Sequence, residues 1–517
     1  LINFFAQKGI DKVFVVYGAA NGDLIDAFTR NNDIDYVAVM HEQAGGFAAE
    51  GYAKVKSLPG VAIATSGPGG MNFVTSIGNC FYDSVPCVFI TGQINSNFLR
   101  PNKDIRQIGF QETDIVSIVE PITKYATMIK SKESIKYELE KAWHMATEGR
   151  HGPVLIDIPM NIQKADINPD KLFGFAEFPS QKAYGSALLS QQVDELIRDL
   201  AIAERPVVMV GGGVKSAGAI PVFRELMNEL KVPCYPTWNA LDVATSDFPY
   251  YCGRIGTYGG GIGRNFGIQN SDLLIAIGSR ISGRITGGNI HSFARNAKKY
   301  VVDIDLPMLQ AHDQQVPFDV NIYSDAKLFM NLFNKKLTEK KARSASEFDK
   351  SNWLTKCQEW REKYDPVNDI INNDKEHEHV HPYLFFRKLS EHMQNNSVLI
   401  GDTGGNIVAS NHSFKTKFGQ LNLTNNGNSP MGFSHSASMG CFFGDPSRQI
   451  VCTIGDGGFN MNIQELQTFL NYNIKVKTFI VNNHIYGITK AYQKTNFNGR
   501  CEACGPVGYK PPNFIKI

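Results

Sequence analysis

Ile450-Val451-Cys452-Thr453-Ile454-Gly455-Asp456-Gly457-Gly458 decides how this chain folds, together with Val476-Lys477-Thr478-Phe479-Ile480-Val481-Asn482-Asn483 downstream. Each stretch is a short apolar run rich in β-branched residues that stops on small or polar ones, the pattern of a buried strand. The residues between them are enough for a helical crossover, so the two strands are predicted parallel and Asp456 and Asn483 fall at their carboxyl ends. Ligand sites in open α/β sheets lie at those ends. One carboxylate and one carboxamide are hard oxygen donors of low total charge. They suit a magnesium ion that keeps diphosphate oxygens in its shell.

The rest of the chain repeats this grammar. Val13-Phe14-Val15-Val16, Val61-Ala62-Ile63-Ala64, Val88-Phe89-Ile90 and Val154-Leu155-Ile156 alternate with helical patterns over residues 1–165. A second α/β unit over 186–335 opens with Pro206-Val207-Val208-Met209-Val210-Gly211-Gly212-Gly213 and runs through Leu273–Gly278 and Tyr300–Asp305. A third spans 381–517 and carries the opening stretch. Strands separated by helices mean parallel sheets, so the fold class is α/β with three doubly wound domains. Residues 166–185 read as a polar, proline-bearing linker. Residues 336–380, dense in Lys, Glu and Asp around Trp353 and Trp360, read as an exposed helical connector with a solvated face.

Size and composition agree. A chain of 517 residues is too long for one core and points to about three domains. A net charge of +2 implies no nucleic-acid partner, and no apolar run reaches the roughly 20 residues of a membrane span. Nine cysteines, an odd and scattered set, form no disulfide framework, and the cytoplasm is the natural location. Cys501-x-x-Cys504 lacks a second pair nearby and reads as two ordinary thiols. Leu1 is not an initiator, so the chain is expected to be cut at its ends.

The Gly455-Asp456-Gly457-Gly458…Asn482-Asn483 pattern resembles the thiamine-diphosphate signature of the acetolactate synthase and pyruvate decarboxylase superfamily. That resemblance implies thiamine diphosphate as cofactor and Mg2+ held by Asp456, Asn483 and the Ile485 carbonyl. It also places Gly455, Gly457 and Gly458 against the cofactor. His41-Glu42-Gln43-Ala44, between a strand and a helix of small residues, is similar to the family's catalytic glutamate motif. In that role Glu42 offers its carboxylic acid to the aminopyrimidine, so that the ring can remove the C2 proton. A helix-terminal carboxylate near the macrodipole, worth about 0.5–1 kcal/mol, would be the plainer use of Glu42.

Further runs carry the likeness to acetolactate synthases. Tyr17-Gly18-Ala19-Ala20 stands where those enzymes have Tyr-Pro-Gly-Gly, and Ala64-Thr65-Ser66-Gly67-Pro68-Gly69 nearly reproduces theirs, which makes Tyr17, Gly18 and Gly67 cofactor-binding candidates. Tight strand-to-helix turns would account for the same glycines. Phe110-Gln111-Glu112-Thr113 matches a run in which the Phe and Gln line the reaction cavity, giving Gln111 a catalytic and Phe110 a substrate role, although a Phe is more often plain core. Gly401-Asp402-Thr403-Gly404-Gly405-Asn406 occupies a diphosphate loop, where a backbone N–H nest and Asn406 would bind phosphate oxygens. Ser429 precedes Met431, which aligns with the bulky residue propping the cofactor into its bent shape; core gap-filling is the default for a lone Met.

The middle region resembles the FAD-binding domain of the synthases. Gly278-Ser279-Arg280-Ile281-Ser282-Gly283-Arg284-Ile285-Thr286-Gly287 is similar to their run ending Arg-Val-Thr-Gly, and Gly256-Thr257-Tyr258-Gly259 and Asp303-Ile304-Asp305 fall at flavin-contacting places. A lone Gly211-Gly212-Gly213 does not make a nicotinamide fold. Arg284 corresponds to the residue that contacts the second substrate, where a guanidinium can grip a carboxylate. Three departures stand out: Ser282 and Gly283 replace two aspartates, Met160 replaces a lysine in Asp157-Ile158-Pro159-Met160, and Tyr492 replaces the tryptophan of the acceptor pocket. The expectation is a homodimer or homotetramer with its site between subunits. The reaction expected is decarboxylation of a 2-keto acid, pyruvate first, and addition of the two-carbon unit to a carbonyl acceptor. A 2-keto acid decarboxylase, a pyruvate oxidase, a C–C hydrolase, or a carboligase using an aldehyde or keto-sugar are the alternatives.

Overall fold

The computed structural model describes residues 1–176, 186–256, 265–311, 316–372 and 379–517. Three parallel sheets are present. The first is built from β1 (Lys12–Val15), β2 (Asp35–Ala38), β3 (Gly60–Ala64), β4 (Cys87–Gln93), β5 (Tyr125–Met128) and β6 (Pro153–Pro159), in the order β2-β1-β3-β4-β6-β5. The second has β7 (Pro206–Val210), β8 (Cys234–Pro236), β9 (Leu273–Ile277), β10 (Lys298–Asp303) and β11 (Val320–Tyr323), in the order β11-β10-β9-β7-β8. The third has β12 (Ser397–Gly401), β13 (Leu421–Leu423), β14 (Gln449–Gly455) and β15 (Val476–Val481), in the order β13-β12-β14-β15. Strands β3, β4, β6, β7, β9 and β12 are buried along their whole length, as parallel strands covered on both faces must be.

The chain divides into two compact units. One comprises Leu1–Ser180, Asn396–Asn406 and Leu423–Ile517, and the other comprises Gln181–Asn395 and Ile407–Asn422. The beginning and end of the sequence therefore share one body. Its seam is the helix Glu42–Lys56 packed on the helix Phe433–Gly444. Only glycine fits there: a Cβ at Gly51 would lie 2.0 Å from the Ala437 carbonyl oxygen, and one at Gly440 1.7 Å from that of Ala48. Small residues let the two backbones touch, which explains the Ala/Gly-rich composition after Glu42.

In the second unit, residues 336–380 do more than connect. Helix Ser351–Lys363 buries Trp353 and Cys357 in the core beneath β7 and β9, and the Trp353 indole donates to the Pro206 carbonyl at 3.1 Å. Trp360 meets Trp353 and Phe266 edge-on. The described residues of the segment are largely helical, but their face is not wholly solvated; the aromatics supply an apolar stripe that charge density hides. No helix among the described residues is long and apolar enough to cross a membrane.

Candidate active site

β14 and β15 pair in register from Ile450↔Val476 to Gly455↔Val481. The chain thus delivers Asp456 and Asn483 just beyond two adjacent, aligned strand ends. Asp456 opens the helix Asp456–Met461 with its side chain buried; Oδ1 accepts from the Gly457 N–H at 2.8 Å, while Oδ2 has no hydrogen-bond partner. Burial raises its pKa. Asn483 is exposed and its Oδ1 accepts from the Ile485 N–H at 3.2 Å. A buried carboxylate oxygen left without a donor is costly unless a cation meets it. One carboxylate, one carboxamide and one carbonyl make a donor set that fits Mg2+.

The glycine corner has little spare room on one side. A Cβ at Gly457 would sit 2.3 Å from the Tyr486 ring and 2.9 Å from the Met431 Cε. Met431 is therefore held against this corner, where a propping residue would stand, and Tyr486 stacks on Tyr509 at 4.0 Å. Ser429, at φ +56, joins its hydroxyl to that of Thr403 at 2.8 Å, bringing the 429–432 loop beside the Gly404-Gly405 turn. Gly404 has φ +94 and both glycines have open space above them. Asn406 differs from expectation: its Nδ2 already donates to the Asp402 carbonyl at 2.8 Å. Its amide nitrogen locks the start of the helix Gly405–Ser413, and the backbone N–H groups of the turn remain for an anion.

Asp402 is the organiser that the sequence reading passed over. Its carboxylate is buried and accepts from Gly432 N and Ser434 N, each at 3.1 Å, and burial pushes its pKa up to about 7.

A second group gathers in the first sheet. Glu42 is the first residue of its helix, and His41 caps it, Nδ1 accepting from the Gln43 N–H at 3.2 Å. Asn72 donates to Glu42 Oε2 at 2.9 Å, and a Cβ at Gly69 would lie 3.3 Å from Oε1. Gly67, at φ +60, lies under Gln111: a Cβ there would approach the Gln111 carbonyl to 2.9 Å. Gln111 itself adopts φ +62, a conformation non-glycine residues take only where surroundings impose it. Those surroundings are visible. Glu112 accepts from Arg100 N at 2.8 Å and Ile108 N at 2.9 Å, and Gln93 donates to the Thr113 carbonyl at 2.8 Å and to Asp157 Oδ2 at 2.9 Å. Thr91 donates to the other Asp157 oxygen at 2.7 Å, and burial raises that carboxyl to about 7. Gly18 lies close over Thr65 and its N–H donates to Asn21 Oδ1 at 2.8 Å, so a tight turn accounts for it.

Glu42, Gly67 and Gln111 are thus brought together, as are Gly404, Gly405, Ser429, Met431, Gly455, Asp456, Gly457, Gly458, Asn483 and Ile485. Phe110 is 83% exposed, Tyr17 69% and Tyr492 59%. The plain-core alternative for Phe110 does not hold: its loop is tied down by Glu112 and Thr113, which leaves the ring outside. Met160 starts a short helix directly after β6 and is half-buried.

In the second unit the Arg284 guanidinium lies over the buried Trp238 ring at 5.4 Å. Gly211 and Gly213 pack onto Gly278, so the glycine cluster after β7 is explained by a close turn against the end of β9. Residues 257–259 of the expected flavin contact lie outside the described residues. All nine cysteines are free thiols, Cys504 Sγ lying 3.0 Å from Gln493 Oε1. Asn72 could have been noticed, standing three residues after Gly67-Pro68-Gly69; the buried Glu465 has no local signal.

Comparison with known proteins agrees with this geometry. Residues 1–118 match the thiamine pyrophosphate enzyme N-terminal TPP binding domain, 193–333 the central domain and 402–517 the C-terminal TPP binding domain. The chain is 32% identical over 527 residues to a probable acetolactate synthase large subunit of Methanocaldococcus jannaschii, covering all of this chain and 85% of the relative. It is 30% identical to the acetolactate synthase isozyme 2 large subunit of Escherichia coli, over 97% of this chain and 85% of that protein. Against the chloroplastic acetolactate synthase 1 of Nicotiana tabacum, identity is 32%, over 95% and 71%. With its three parallel sheets and its paired strand ends, this chain belongs to the acetolactate-synthase-like family of thiamine pyrophosphate enzymes.

Proposed function

We propose that this enzyme, with thiamine diphosphate and Mg2+, decarboxylates a 2-keto acid, pyruvate first, and joins the two-carbon unit to a carbonyl acceptor as an acetolactate synthase does. The observation that carries the metal half is the buried, unpartnered Asp456 Oδ2 at a strand end in register with the Asn482-Asn483 end. Asp456, Asn483 and the Ile485 carbonyl would hold Mg2+. Gly404, Gly405, Asn406, Ser429, Gly455, Gly457 and Gly458 would surround the diphosphate, Asn406 by shaping the turn, and Met431 would prop the cofactor. Tyr17, Gly18 and Gly67 would flank its pyrimidine end. Thiamine diphosphate supplies an acidic C2–H and a sink for the electrons that decarboxylation releases.

Glu42 would hold the proton that the aminopyrimidine needs, its other hydrogen bond coming from Asn72. Gln111 and Phe110 would face the donor, and Arg284 would grip the acceptor's carboxylate. Exposure of Phe110, Tyr17 and Tyr492 on the single chain supports a second subunit covering them, as a dimer or tetramer. FAD in the middle domain, residues 186–335, rests on the likeness of the 278–287 run, and flavin absorbance of the purified protein tests it. Domain limits of 1–165, 186–335 and 381–517 and a cytoplasmic location belong to the same proposal.

Incubation with pyruvate, thiamine diphosphate and Mg2+, followed by product identification, tests the reaction. Acetolactate supports it. Acetaldehyde alone means a decarboxylase, and acetyl phosphate or peroxide an oxidase. Turnover only with an added aldehyde or keto-sugar means another acceptor, the reading that Met160, Gly283 and Tyr492 favour.

A further inference from the structure

The helix Asp456–Met461 passes through Asn462 into a turn, Ile463–Glu465, whose last residue is a glutamate with 0% of its surface exposed. A buried carboxylate needs donors, and these come from the other end of the sequence. Glu465 Oε1 accepts from His41 N at 3.0 Å, both oxygens lie 3.2 Å from Met40 N, and Thr468 Oγ1 donates to Oε2 at 2.7 Å. Nearby, the Ala38 N–H donates to the Tyr472 hydroxyl at 2.7 Å, and Asn462 Nδ2 donates to Gln43 Oε1 at 3.4 Å.

Met40 and His41 are the corner between β2 and the helix that Glu42 opens, and His41 is its cap. The backbone just before Glu42 and the side chain of Gln43 just after it are thus bound by side chains following the Asp456 corner. A helix-terminal side chain leaves in a direction set by the backbone just before it, and small misplacements of a catalytic group are expensive in rate.

We propose that Glu465 is a positioning residue for Glu42, its carboxylate holding the Met40–His41 backbone and so aiming the Glu42 carboxyl. This rests on the reading of Glu42 as the catalytic carboxyl. The same strut joins the segment that carries Asp456 to the one that carries Glu42, so metal corner and catalytic glutamate are registered to one another within a single chain.

The test uses Glu465→Gln in the full chain, with Tyr472→Phe and Glu42→Gln beside it. Glu465→Gln keeps the length but removes the charge and leaves one acceptor oxygen, in place of two, for the Met40 and His41 N–H groups. It is expected to lower kcat and the C2-proton exchange rate of bound thiamine diphosphate about 10–100-fold, with KM for pyruvate and cofactor affinity nearly unchanged. In the cofactor-free protein, amide hydrogen exchange at residues 40–43 should accelerate while the helix Phe433–Gly444 stays protected. Tyr472→Phe removes a contact of the same seam further from Glu42 and should leave C2 exchange near wild type.

Wild-type C2 exchange and amide protection in Glu465→Gln overturn the proposal. So does an equal loss in Tyr472→Phe, which would mean general loosening. If Glu42→Gln abolishes exchange while Glu465→Gln leaves it at the wild-type rate, only the positioning role falls. If Glu42→Gln leaves exchange intact, the catalytic reading falls and the proposal with it. Should Glu465→Gln fail to accumulate, Thr468→Val removes only the hydroxyl that orients the carboxylate. A loss of about 3-fold is then expected, and none overturns it.

Discussion

His435 offers a test of how the interior of the first unit is held. It lies in the first turns of the helix Phe433–Gly444, 1% exposed, stacked on Phe469 at 4.6 Å with 4° between ring planes and edge-on to Phe459 at 4.9 Å. Neither ring nitrogen has a hydrogen-bond partner. The aromatic contacts favour the neutral ring by about 0.5–1.5 kcal/mol each, but two unmet polar atoms cost about 1–3 kcal/mol each. His435→Leu fills a similar volume without them and should stabilise this unit by about 1–3 kcal/mol at pH 7.

The pH dependence is sharper. Burial lowers the imidazole from an ordinary value of 6.5 to about 4. The folded state therefore resists a proton that the unfolded chain accepts. Stability is fully present above 6.5 and is lost as pH falls toward 4. Between pH 7 and 5 the loss from this one group is about 2 kcal/mol, and it reaches about 3 kcal/mol well below pH 4, at about 1.4 kcal/mol per pH unit. Denaturant or thermal unfolding of wild type and His435→Leu at pH 7 and pH 5 isolates it, because other carboxylates titrate alike in both. The gap between the two proteins should widen by about 2 kcal/mol on acidification. Parallel curves at the two pH values would refute the argument, and a destabilised variant at pH 7 would show that packing against Phe469 outweighs the unmet nitrogens.

Other substitutions probe the seam and the corner. Gly440→Ala drives a methyl into the Ala48 carbonyl, at a separation of 1.7 Å before relaxation, and should cost at least about 3 kcal/mol of unfolding free energy; a cost below 1 kcal/mol would mean that the helices separate easily. Gly457→Ala meets the Tyr486 ring at 2.3 Å and should weaken Mg2+ and thiamine diphosphate saturation together by about 10-fold or more, read by titrating each cofactor. Because burial raises the Asp456 carboxyl and metal binding requires it ionised, the thermal shift produced by Mg2+ with thiamine diphosphate should grow as pH rises from the acid side. Asp456→Asn should flatten that dependence.

What was legible in the sequence was whatever has a local signature. Apolar runs ending on Asp456 and on Asn483 read as neighbouring strand ends because parallel strands are written in consecutive residues, and the Gly455↔Val481 register agrees. The exposure of Phe110 is not legible locally, because it depends on a loop tied down by Glu112 and Gln93, at partners the flanking residues do not reveal. Trp353 and Trp360 read as parts of a solvated face because charge density carries no information on the helical phase that puts both rings on the core side. Glu465 is illegible for a different reason. A side-chain hydrogen bond spanning hundreds of positions, such as Glu465 to Met40, leaves no periodicity and no composition bias to read.

Four acidic residues around the candidate site make the same point chemically. Asp402 and Glu465 are buried and give their oxygens to backbone N–H groups, Gly432 and Ser434 in one case, Met40 and His41 in the other. Such a carboxylate defines a corner and has little left for a ligand. Asp456 keeps one buried oxygen without a donor, and Glu42 is engaged by a single Asn72 amide. Residue type is identical across each pair, and so is burial for three of the four. The distinction lies in how many of each group's lone pairs are already spent, which a chain reveals only after it has folded. On that measure Asp456 and Glu42 are the two with capacity for chemistry, and Asp402 and Glu465 are the two that hold them in place.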